Sequence, residues 1–95
     1  MATYVRLVRL TEQGFRGVSK MESLLADARK VWEACGVSIV SAYATLGPYD
    51  LVAIAEAPDD ATMAKASALV ASQGNFRAET YPAVPVKEFA QALKR

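Results

Sequence analysis

Two rhythms alternate along the chain: short stretches that change character at every second residue, and longer ones whose apolar positions return every third or fourth. The first rhythm predicts strands and the second helices. Residues 3–10, "TYVRLVRL", are rich in β-branched and aromatic types and predict a first strand; "TEQGFRGV", broken by Gly14 and Gly17, predicts a loop. At "SKME", Ser19 and Glu22 stand at capping-box spacing, and Met21, Leu24, Leu25, Ala28, Val31, Trp32 and Cys35 follow as one apolar stripe. Gly36 closes this helix at C′.

"VSIVSAYAT" and "DLVAIAEA" predict two more strands, joined by "LGPY" as an antiparallel hairpin. "PDDATMAKASALVASQ" predicts a second helix: Pro58 stops the strand, Asp59 or Asp60 caps the start, and Gly74 closes the end. Its apolar side is mostly alanine, which suits close packing on a sheet. "NFRAETY" predicts a fourth strand, and beyond Pro82 and Pro85 "VKEFAQALKR" predicts a short helix. The order is βαββαβ plus a tail helix: an α+β, ferredoxin-like fold with a four-stranded antiparallel sheet and both long helices on one face, within a single domain of residues 1–95.

Period-two alternation divides the strand residues between two faces. Val5, Leu7, Val40, Ala42, Ala44, Leu51, Ala53, Ala55, Phe76 and Ala78 form a small, apolar set suited to the helix-covered face. Tyr4, Arg6, Val8, Ser41, Tyr43, Asp50, Val52, Ile54, Glu56, Arg77, Glu79 and Tyr81 form the other, assigned to the open face. Arg9 breaks the pattern of the first set and is taken to lie at a strand end. The second set suits either a polar, packed dimer interface or a pocket in which tyrosines and an arginine orient a small ligand.

Composition narrows the choice. An apolar share of 53% in 95 residues favours association that buries the excess, hence a homodimer. Net charge is +1 with the signs interspersed, which argues against nucleic acid; the cationic "LKR" reads as a helix C-terminus. No apolar run reaches membrane length, and Arg6 and Arg9 interrupt the first strand too early for a signal peptide. One cysteine makes the cytoplasm the expected compartment. The absence of histidine removes the commonest general base and metal ligand, and no cofactor or metal is expected. Cys35 and Trp32 read as core, Asp59 and Asp60 as caps, and Arg16 in "GFRG" as a surface residue that could also clamp an anion.

"TEQG", "LGPYDLVAIAEAPDD" and "GNFRAETYPAV" together resemble the GYD-domain family, whose Gly-x-Tyr-Asp signature appears as Gly47-Pro48-Tyr49-Asp50. The resemblance covers nearly the whole chain and implies a dimeric α+β barrel, with no particular reaction. Two departures stand out: proline at x, and "NFRAET" where the family more often has "NVRTET", so that no hydroxyl role transfers to Ala78.

The leading expectation is a homodimeric small-molecule-binding or accessory domain. Its candidate lining is Tyr4, Arg6, Tyr43, Tyr49, Asp50, Arg77, Glu79 and Tyr81. A cofactor-independent enzyme of oxygenase, lyase or isomerase type is the alternative, with Asp50 or Glu79 as base and Tyr49 or Tyr81 as donor. A structural subunit of a larger assembly is the third. Asp50 also suits a purely structural task, bonding backbone N–H groups at the turn.

Overall fold

A computed structural model describes residues 1–94; Arg95, the last residue of the cationic "LKR", lies outside the described residues. Strands β1 (Ala2–Leu10), β2 (Ser38–Ala44), β3 (Leu51–Ala57) and β4 (Phe76–Ala83) form one sheet in the order β2-β3-β1-β4, every neighbouring pair antiparallel. Helices α2 (Met21–Ala34) and α3 (Asp60–Ala71) share one face, a short α1 (Glu12–Arg16) follows β1, and α4 (Val86–Ala92) follows β4. This is the α+β, ferredoxin-like order expected from the sequence.

The long helices end where their sequences say. Gly36 takes φ 79°, its N–H donates to the Glu33 carbonyl at 3.0 Å and the Val37 N–H to the Trp32 carbonyl at 2.9 Å, which together close α2 as a Schellman motif. Asp59 caps α3 by accepting from the Thr62 N–H at 2.8 Å. From α2, Ala28 and Trp32 enter the core; from α3, Met63, Ala66 and Val70 do, so only one of the three α3 contacts is the expected alanine. They meet Tyr4, Val8, Ala55, Ala57 and Phe76 of the sheet.

β1 is turned over relative to the reading from alternation. Tyr4, Arg6 and Val8 are buried beneath the helices, and Val5, Leu7 and Arg9 lie on the open face. Register fixes this: Tyr4 pairs with Ala55, Arg6 with Ala53 and Val8 with Leu51, so they share the face of the buried β3 alanines. Arg9 is therefore not an end effect but the polar member of the open-face row. The same register puts Ala78 and Thr80 on the helix side and Arg77, Glu79 and Tyr81 on the open side. Val40, expected under the helices, occupies a β-bulge between Ile39 and Ser41 and is exposed.

Other expectations shift locally. The stretch after β1 is not a loop but α1 and a 3₁₀ turn, Val18–Lys20. Ser19 falls within that turn and Lys20 occupies the α2 N-cap without a side-chain cap bond, so the capping box does not form. β4 continues through Pro82 to Ala83, which an edge strand tolerates because its outer side needs no N–H donor.

α1 is held to the α3–β4 connection by a close backbone approach. The Thr11 N–H donates to the Asn75 carbonyl at 3.0 Å, Thr11 Oγ1 to the Gly74 carbonyl at 2.5 Å, and Gln13 Nε2 to Asn75 Oδ1 at 2.9 Å. A Cβ on Gly14 would sit 2.2 Å from the Asn75 carbonyl oxygen, a backbone atom that cannot turn aside. Gly14→Ala is expected to cost about 2 kcal/mol or more through this overlap, read as a lower midpoint in urea denaturation.

Candidate functional site

The hairpin between β2 and β3 is built from Thr45 to Asp50. The Thr45 N–H donates to the Asp50 carbonyl at 2.8 Å, Thr45 Oγ1 to the Tyr49 carbonyl at 2.6 Å, and Gly47 supplies φ 103°. Asp50 then fastens the hairpin to β1: its N–H donates to the Val8 carbonyl at 2.9 Å and its Oδ2 accepts from the Leu10 N–H at 2.8 Å. The carboxylate is thus engaged as a backbone anchor.

This anchoring aims Tyr49 across β1 towards β4. The Tyr49 hydroxyl donates to Glu79 Oε2 at 2.7 Å, and the Tyr81 hydroxyl donates to Glu79 Oε1. Arg9 lies over the Tyr49 ring, its guanidinium carbon 4.9 Å from the centroid. Arg77 sits opposite Arg9 and, with Leu7, Tyr49 and Glu79, lines a depression of about 200 Å³. The two phenols, with help from Arg9, hold the Glu79 carboxyl below its usual range, and Glu79 in turn raises both tyrosines. Tyr43 is on the same face but on β2, three strand spacings or roughly 14 Å from β4, so it stands apart from this cluster.

Tyr4 and Arg6 are elsewhere, between sheet and helices. The Tyr4 hydroxyl donates to Asp60 Oδ1 at 2.5 Å, and that bond pushes its pKa up to about 12. Arg6 is 4% exposed; its Nη1 donates to Ser67 Oγ at 2.9 Å and to Thr80 Oγ1 at 2.8 Å, and its guanidinium lies 4.5 Å from the Trp32 ring centroid. The only ion pair among the described residues is Arg16 with Glu12, so burial is uncompensated by a carboxylate and brings the Arg6 pKa down to about 10.

The eight candidates therefore divide into three places: Tyr49, Asp50, Arg77, Glu79 and Tyr81 at the hairpin end of the open face, Tyr43 on its far flank, and Tyr4 and Arg6 inside. Arg9, Ser67, Thr80 and Asp60 were missed as participants. Arg9 carried a signal, its break in the alternation; the other three depend on contacts across more than fifty residues of chain that no local pattern reveals. Among the described residues no three potential metal ligands come together.

A sequence model of the GYD domain matches residues 4–93. A Thermus thermophilus protein described as glutamine synthetase and cystathionine beta-lyase binding protein is 37% identical over 95 residues, covering 99% of this chain and all of that one. A crystal structure of a protein from Thermus thermophilus superposes with TM-score 0.58 at 23% identity, over 90% of this chain and 95% of that one, which supports the fold.

Glu79→Gln is expected to move the Tyr49 and Tyr81 ionisations back towards 10, their ordinary value, in ultraviolet titration of the phenolates. The sign for stability follows. Glu79, lowered in the folded state, contributes above the ordinary carboxylate range and loses this as pH falls through its folded pKa; the tyrosines contribute below 10 and lose it as pH rises through theirs. Arg6, lowered by burial, costs stability at neutral pH and is relieved only as pH rises between about 10 and 12.5. Arg6→Met is accordingly expected to leave the folded state unharmed or to stabilise it by roughly 1 kcal/mol, checked by thermal denaturation.

Proposed function

This chain belongs to the GYD domain family, and on that basis we propose that it acts as an accessory binding protein, a homodimer that engages enzymes rather than catalysing a reaction itself. The observation that carries the reading is a pair of unpartnered apolar surfaces in one chain. Val5, Leu7, Val52 and Ile54 form the centre of the open sheet face, with no described element over them. Beyond β4, every residue of α4 is exposed, and Val86, Phe89 and Leu93, at 80, 55 and 69% exposure, make a stripe at helical spacing. The Cα radius of gyration, 14.3 Å, exceeds the roughly 12.4 Å of a compact chain of this length, as an outlying arm requires.

Both surfaces are satisfied together if two sheets stack and each arm lies on the partner. Four strands about seven residues long project a face of roughly 450 Å². This falls short of the ~800 Å² per partner usual in stable association, and the arms supply part of the difference. The Tyr49–Glu79–Tyr81 cluster and Arg77 then border the interface, and Tyr43 packs near its opposite margin. A cytoplasmic setting belongs to this reading, on the strength of the single cysteine.

Support for protein partners comes from the 37% identical relative, described by the enzymes it binds. Catalysis draws no comparable support: Glu79 is held below the usual carboxylate range, opposite to what a general base near neutrality needs, and Asp50 is committed to the backbone.

Light scattering on the eluting protein is expected to give twice the chain mass, and Ile54→Arg, which sets a charge at the centre of the stacked sheets, to give a folded monomer. Co-elution with purified glutamine synthetase or cystathionine β-lyase from the same organism is expected for the dimer. A wild-type monomer would refute the paired-sheet reading; a dimer that retains neither enzyme would refute the accessory role.

A further inference from the structure

Beyond any role of the open face, the opposite side of the sheet contains a space with its own chemistry. A cavity of about 120 Å³ lies between α2 and the sheet, bounded by Val8, Trp32, Leu51, Val70 and Phe76, and Arg6 reaches into its wall. Leu25 and Arg29, both exposed on α2, also line it and mark its way to the surface. The small side chains of Ala42 and Ala53 leave the room: alanines face α2 where larger residues would fill the gap.

A guanidinium in such a place demands explanation. It is 96% removed from solvent, and among the described residues its side-chain partners are two neutral hydroxyls, both on Nη1. No ion pair reaches it among those residues. Ser67, Thr80 and the Trp32 face position the group and stabilise it weakly, but they leave its charge unbalanced and its Nε–Nη2 edge without a side-chain partner. That edge is the fork that binds a carboxylate in bidentate fashion. Asp60, the one acidic residue of α3, accepts from the Tyr4 hydroxyl instead.

We propose that this cavity is a binding site for a small organic carboxylate with a short branched apolar tail, the carboxylate on Arg6 and the tail among Val8, Trp32, Leu51, Val70 and Phe76. The size fits the class: benzene occupies an apolar cavity of about 150 Å³, and this one, at about 120 Å³, suits a short branched tail rather than a ring. The chemistry fits as well: one buried planar cation among apolar walls, with a second arginine only at the exposed mouth, accepts one anionic group and disfavours a polar group on the tail. Arg29 at the mouth attracts the anion, and Arg6 retains it.

Trp32, the sole tryptophan of the chain, lies against the guanidinium and reports on the site by fluorescence. Isovalerate and its uncharged isostere isovaleramide are titrated into the full-length protein, with thermal stability followed in parallel. The expected result is a saturable change in Trp32 emission and a raised Tm with isovalerate, with isovaleramide at least about tenfold weaker and Arg6→Met no longer distinguishing the two. Equal binding of acid and amide, no saturable response to either at millimolar concentrations, or undiminished preference for the acid in Arg6→Met would each overturn the proposal. The comparison of acid with amide on the unaltered protein decides the matter even where Arg6→Met does not fold.

Discussion

Tyr4 and Arg6, the largest inward side chains of β1, rest between small ones on both neighbours, and the architecture depends on that fit. Tyr4, Arg6 and Val8 face the helices from one of the two inner strands; Ala55, Ala53 and Leu51 flank them on β3, and Pro82, Thr80 and Ala78 on β4. Had β3 carried bulky residues there, the helices could not descend far enough for Met63, Ala66 and Val70 to seal the core. The same fit sets which way β1 faces, and so it sends Arg6 inward and Arg9 outward. One strand's rotation thereby decides the chemistry of both sides of the sheet.

Element order, the C-terminal end of α2, the start of α3 and the positive φ of Gly36 were legible because each has a local cause: apolar spacing, a capping aspartate, a glycine at C′. The facing of β1 was not. "TYVRLVRL" offers Tyr, Arg, Val on one side and Val, Leu, Arg on the other, two rows of similar apolarity with one arginine each. Period-two alternation separates the rows but does not say which is buried; only pairing with the alanines of β3 does. The capping box at Ser19 failed for a related reason. The 3₁₀ turn before α2 takes up Ser19, and local signals yield to the path the chain needs between α1 and α2.

The site shows the same division. Sequence alone nominated Tyr49, Glu79 and Tyr81, but their convergence on one carboxylate depends on the Asp50 clamp, which sets the hairpin against the end of β1 and brings Tyr49 within reach of β4. Asp50 is thus less a reagent than the fixture that turns three scattered polar residues into a cluster. The signature Gly-x-Tyr-Asp acquires a physical sense: a turn, a reaching phenol and the anchor that aims it.

The placement of β1 bears on how the protein can be made. It is translated ahead of both its neighbours, and it pairs with β3, and with β4 only when Phe76 to Ala83 have been translated. Until then a strand with a tyrosine, a valine and a buried-to-be arginine waits with one edge unpaired. Sheet closure consequently comes late, since the β1–β4 pairing and the Thr11–Asn75 latch beside it need the same stretch of chain. Chains cut short before β4 are left with an open strand edge, the usual starting point for aggregation.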